Sequence, residues 1–104
     1  MSLSHSVVAL NASTATALNT DSNITNSVTR EVYPTWAFGT LSIQNVDSSI
    51  TVYIGGSNVT STSYGVQLVA GASVTLDSLS QNEVVYAIAA SGTPKVALLQ
   101  VTSA

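Results

Sequence analysis

The sequence predicts an all-β protein: a single antiparallel β-sandwich or barrel-like domain over residues 40–101, with an extended N-terminal arm. Three observations support this prediction. Val, Ile, Thr and Tyr, which favour strands, dominate the chain. Apolar and polar residues alternate in several short runs, as they do in half-buried strands. Turn residues recur between these runs, and no helical pattern interrupts them.

The N-terminal part of the chain differs in composition from the rest. Residues 4–29 are mostly Ser, Thr, Asn and Ala, and residues 6–10 could form one strand. We therefore expect residues 1–35 to be an arm or edge region and residues 36–104 to be the body of the domain. An extended arm suits lying along a partner or adding an edge strand to a partner sheet.

Three strands of the body are predicted from alternation. Leu41 and Ile43 point to one face of the first, while residues 50–54 and 73–79 give the second and third. Residues 45–49 (NVDSS) predict a turn after the first strand. The pair Gly55-Gly56 indicates either the end of the second strand or a β-bulge in it.

The last two predicted strands are apolar on both faces. They cover residues 84–90 (VVYAIAA) and 96–101 (VALLQV), and residues 91–94 (SGTP) between them predict a hairpin turn. Strands of this kind are usually buried on both sides. The second side is covered either by a neighbouring subunit or by loops of the same chain.

The composition is unusually poor in charge. Asp, Glu, Lys and Arg make up 7% of the 104 residues, whereas about a quarter is typical of soluble domains. Ser and Thr together supply 30 residues, and mean hydropathy is positive at +0.38. With two basic residues and a pI near 4.4, the chain is not expected to bind nucleic acid. A surface with so few charges does little to prevent association with other molecules. The composition therefore indicates that much of the surface is covered by partners.

The sequence offers little to a catalytic or metal site. His5 is the single histidine, cysteine is absent, and the five carboxylates are scattered. Zinc needs several Cys or His ligands, and residues 21–26 (DSNITN) lack the Gly and terminal Glu of a calcium-binding loop. We therefore expect no enzyme, no metal and no cofactor. No apolar run reaches the roughly 18 residues of a membrane span, and no secretory signal is apparent.

Two groups of residues are candidates for an interface. The aromatic cluster Tyr33, Trp36 and Phe38 could be core, could anchor a subunit interface, or could stack on sugar rings. The arm adds three apolar candidates, which are Val7, Val8 and Leu10. We assign all six residues to a candidate interface.

An ordered set of motifs then suggests a family. The chain resembles small β-rich virion proteins of tailed bacteriophages, of the head-decoration (cement) or minor structural type. The resemblance covers residues 41–101 and rests on residues 41–45 (LSIQN), 52–60 (VYIGGSNVT), 65–74 (GVQLVAGASV), 86–93 (YAIAASGT) and a closing strand at 96–101.

This resemblance implies a protein without enzymatic activity. It would form a homotrimer, bind the major capsid protein on the outside of the capsid, and be made in the host cytoplasm before joining the virion. Cementing of this kind relies on apolar patches and neutral hydrogen-bonding groups, because few charges then need to be desolvated. The alternatives are a glycan- or host-binding module of a fibre, or another virion component such as a head-fibre base or tail part.

Overall fold

The structure of the chain, a computed structural model, describes residues 2–19, 39–79 and 84–102. These residues form strands and no helix, which confirms the all-β prediction. The strands are β1 (Ser2–Ala9), β2 (Thr16–Ala17), β3 (Gly39–Asn45), β4 (Val52–Gly55), β5 (Val66–Leu68), β6 (Ser73–Leu79), β7 (Tyr86–Ala89) and β8 (Lys95–Thr102).

The strands form two four-stranded antiparallel sheets. Sheet A has the order β1-β8-β3-β6, and sheet B has the order β2-β7-β4-β5. Among the described strands, only β4 and β5 are both consecutive in the chain and neighbours in one sheet, and every other pair of consecutive strands lies in different sheets. This order is that of an eight-stranded jelly roll, in which two Greek keys make a double sheet. The predicted β-sandwich is thus confirmed.

The core lies between the two sheets and follows from the alternation in the sequence. In β3, Leu41 and Ile43 are fully buried, whereas the alternate residue Gln44 is exposed. In β4, Val52 and Ile54 are buried in the same way. The cluster of buried apolar side chains consists of Val8, Leu10, Leu18, Leu41, Ile43, Val52, Ile54, Leu68, Val85, Ala87, Ala89, Val96 and Leu98.

The described part of the N-terminal region belongs to this sandwich. Strand β1 pairs with β8 over its whole length, from Ser2 opposite Thr102 to Ala9 opposite Lys95. Strand β2 pairs with β7 and so lies at the edge of sheet B. Residues 2–19 are therefore an edge region of the domain, which was the alternative to an arm. Residues 20–35 lie outside the described residues.

The predicted hairpin between the last two strands is wrong. Strand β7 lies in sheet B and β8 lies in sheet A, so the connection between them passes across the sandwich. Gly92 turns this connection with a φ of 60°, and the Pro94 carbonyl oxygen accepts a hydrogen bond from the Leu10 N–H at 2.8 Å. Turn residues mark where a chain reverses, but they do not indicate which sheet the next strand joins.

The predicted turn at residues 45–49 lies where the chain passes from β3 to β4. The Asp47 carboxylate accepts hydrogen bonds from the N–H groups of Ser49 and Ile50, at 2.9 and 2.8 Å. These bonds favour the ionised form, so they hold the pKa of Asp47 below its ordinary value of 3.8.

The side chain of Asn45 joins the two sheets beside this turn. Its Nδ2 donates to the carbonyl oxygens of Ile50, at 2.8 Å, and of Leu68, at 3.0 Å. Its Oδ1 accepts from the Asp47 N–H at 3.1 Å. Asn45 is 0% exposed and lies at the end of β3 in sheet A, whereas Leu68 belongs to β5 in sheet B. One buried amide thus holds the two sheets in register at this end of the sandwich.

Candidate interaction surfaces

The outward side of sheet A includes two complete rows of side chains, and each of the four strands contributes one residue to each of these rows. Directly paired residues in an antiparallel sheet point to the same side, so the register defines each row. The rows are Val7–Ala97–Gln44–Ser73 and His5–Leu99–Ser42–Thr75. We call these eight residues the neutral face. Its largest exposed apolar side chains are Val7, which is 60% exposed, and Leu99, which is 44% exposed.

Neither row contains Asp, Glu, Lys or Arg. Lys95, which pairs with Ala9, stands beyond one row. Beyond the other row, Asp77 accepts a hydrogen bond from the Thr40 hydroxyl at 3.4 Å. Hydroxyl and amide groups fill the β3 and β6 half of the face, and the Ser42 and Thr75 hydroxyl oxygens are 3.1 Å apart. Covering this face would therefore desolvate few charges.

The structure separates the candidate interface residues of the sequence. Val7 lies on the neutral face, whereas Val8 and Leu10 are buried in the core cluster of this chain. Of these three, Val7 alone offers a side chain to a partner. Tyr33, Trp36 and Phe38 lie outside the described residues.

Leu99 is a surface residue that the sequence pattern does not single out. Its signal was the apolar character of β8 on both faces, because Leu98 points into the core and Leu99 points away from it. The outward side of β8 at Leu99 is open in the described part of the chain. Coverage by a neighbouring subunit, one of the two alternatives for this strand, therefore stays a prediction.

A second surface lies on the outward side of sheet B. Tyr53 alternates with the buried Val52 and Ile54, so it points outward, where its direct partner on β5 is Gln67. Tyr64 is 44% exposed, and its ring centroid lies 4.7 Å from that of Tyr53 at an interplanar angle of 42°. We call Tyr53, Tyr64 and Gln67 the tyrosine patch. Sequence spacing did not indicate it, because Tyr64 lies in the loop between β4 and β5.

Metal-binding groups, membrane helices and similarity to known proteins say little about the function of this chain. Among the residues that the structure describes, no three His, Cys, Asp or Glu side chains come close enough together to hold a metal ion. In the same part of the chain, no helix is long and apolar enough to cross a membrane. No protein-family model matches the chain, and no curated protein matches it either.

Proposed function

We propose that this chain is a non-enzymatic structural protein of a tailed-phage virion, where it decorates and cements the outer surface of the capsid. Its partners are the major capsid protein and further copies of itself, and it joins the virion after synthesis in the host cytoplasm. The structural observation that carries the proposal is the neutral face, which presents exposed apolar side chains beside neutral hydroxyl and amide groups. The sequence resemblance supports the same proposal independently.

The chemistry of the neutral face suits attachment to a protein shell. Val7 and Leu99 provide apolar area, and the hydroxyl and amide groups beside them can exchange hydrogen bonds with water for hydrogen bonds with a partner. The cores of protein interfaces are depleted in charged residues in the same way. A partner can cover a face of this composition without leaving a buried ion unpaired. Burying an unpaired ion costs far more free energy than burying a neutral group.

The size of the face favours attachment through more than one copy. Four strands about 4.8 Å apart, with the two rows spanning about four residues along each strand, give a flat footprint of roughly 250 Å². One partner of a standard-sized interface buries about 800 Å². One copy alone would therefore attach weakly. Copies that bind the shell together would gain from their effective concentration.

The test uses undecorated capsids of the phage that encodes the chain. Purified protein should sediment with them at a saturating stoichiometry and raise their melting temperature. Leu99→Glu places an unpaired carboxylate in the centre of the neutral face, so we expect it to weaken binding by at least about tenfold. The matched control is Val69→Glu, because Val69 is 54% exposed and lies outside both rows of the face.

The control variant should bind within about twofold of the original protein, since it adds the same charge elsewhere. Circular dichroism and the melting temperature of each purified variant establish that both have folded. Failure of the original protein to bind undecorated capsids would overturn the proposed function. Equal binding by the folded Leu99→Glu variant would overturn the role of the neutral face.

The tyrosine patch supports a second candidate function, a glycan- or host-binding module of a fibre. Aromatic rings stack on apolar sugar faces, and the Tyr64 hydroxyl, 3.4 Å from the Gln67 side-chain oxygen, offers a polar group beside them. A glycan screen tests it, with Tyr64→Ala expected to lose any signal and Thr62→Ala, in the same loop, expected to keep it. A blank screen with the original protein would exclude this candidate.

A further inference from the structure

The four edge strands of the sandwich differ in how they are protected from pairing with other chains. Natural sheets protect their edges with short strands, charged side chains, proline or bulges. In sheet B, the edge strand β2 has two residues and β5 has three, so neither offers a long template. In sheet A, β6 carries the exposed Asp77, and its pairing with β3 is interrupted by an extra residue between Leu76 and Leu79.

Strand β1, the other edge of sheet A, has none of these protections. Its eight residues, SLSHSVVA, include no Asp, Glu, Lys, Arg, Pro or Gly. Its register with β8 runs without a shift from one end to the other. In the part of the chain that the structure describes, β1 has a hydrogen-bonded neighbour on one side only. About half of its N–H and C=O groups therefore point outward, away from β8.

We propose that β1 is the site at which two copies of this chain associate. The β1 strands of the two copies pair antiparallel about a two-fold axis, which joins the two A sheets into one continuous eight-stranded sheet. A strand without charge meets no like-charge repulsion from its own copy, and a two-fold interface is self-complementary by construction. Pairing satisfies the outward backbone groups of both strands at once.

Pairing through β1 brings the neutral faces of the two copies side by side. In an antiparallel pair, the two-fold axis stands perpendicular to the sheet, so both neutral faces lie on the same side of the joined sheet. Their combined footprint is roughly 500 Å², twice what one copy offers to a shell. The pairing itself does not depend on the proposed attachment to capsids. Pairing through β1 gives a dimer, whereas the sequence resemblance implies a trimer. The molar mass of the purified protein in solution distinguishes the two.

Light scattering on the purified full chain tests the proposal. The expected mass is twice the 10.6 kDa of one chain. His5→Lys adds a charge to the exposed, outward side of β1, so the mass should fall about twofold. Thr75→Lys is the matched control, because Thr75 is exposed in the same row of sheet A but lies on the opposite edge. Its mass should stay that of two chains.

A second measurement keeps the proposal testable if His5→Lys impairs folding. Amide hydrogen exchange in β1 of the original protein should slow as protein concentration rises, because pairing protects the outward N–H groups. Exchange that is independent of concentration would overturn the proposal. It would also be overturned by a mass of one chain or of three chains for the original protein, or by dissociation in Thr75→Lys and not in His5→Lys.

Discussion

Replacing Asn45 with Ala should destabilise the protein more than its place at the end of a strand suggests. The change removes three hydrogen bonds, two donated by Nδ2 to the carbonyls of Ile50 and Leu68 and one accepted from the Asp47 N–H. The bond to Leu68 is buried and the other two are partly buried, so water has limited access to the groups left behind. At about 1 kcal/mol for each group left without its partner, the loss is about 3 kcal/mol. This is a large part of the roughly 5–15 kcal/mol that stabilises a typical domain.

Urea unfolding, monitored by circular dichroism, measures this loss as a lower midpoint urea concentration with an unchanged m-value. The matched control is Asn58→Ala, because Asn58 is exposed and its replacement should change the free energy of unfolding by no more than about 0.5 kcal/mol. A loss below about 1 kcal/mol for Asn45→Ala would refute the view that this amide joins the two sheets.

Three further predictions concern pH, glycine conformation and the core. Asp47 has a lower pKa in the folded protein than its ordinary 3.8, so its stabilising effect is present above that value and is lost as the pH falls through the folded pKa. Thermal melting across the acid range should show Asp47→Asn losing less stability on acidification than the original protein; an equal loss would contradict this. Gly71→Ala and Gly92→Ala should each cost about 1–2 kcal/mol in urea unfolding, because φ is positive at both, and a neutral result would be inconsistent with these conformations. Gly92→Ala should cost more, because an added Cβ would lie 3.1 Å from the Ile50 Cδ1, whereas at Gly71 it would meet nothing within 4 Å. Leu41→Ala should cost about 2–5 kcal/mol in the same assay, since Leu41 is fully buried, and a cost below this range would argue against a close-packed core.

The sequence allowed the fold class to be predicted because the period-2 alternation is local. Leu41 and Ile43 reveal a half-buried strand without any knowledge of its neighbours, and the structure buries both. The pairing of strands is not local. The turn residues around Gly92 predict a hairpin, although this turn connects strands in different sheets. The apolar runs on both sides of it fit either arrangement.

The candidate surfaces were harder to predict than the fold, for a related reason. Val7 and Val8 are neighbours of the same residue type, yet one is exposed and the other is core, and the register with β8 decides which. The tyrosine patch needs Tyr64 to approach Tyr53 from a loop, which no spacing encodes. The buried role of Asn45 depends on Leu68, a partner far along the chain. Each case needed contacts that the residue pattern does not specify.

Cryo-electron microscopy of intact particles that carry this chain tests the central proposal most directly. We expect density for the chain on the outer surface of the capsid, with the neutral face of sheet A, including Leu99, against the major capsid protein. Density in a fibre or tail, or density on the capsid with the neutral face turned to solvent, would contradict it.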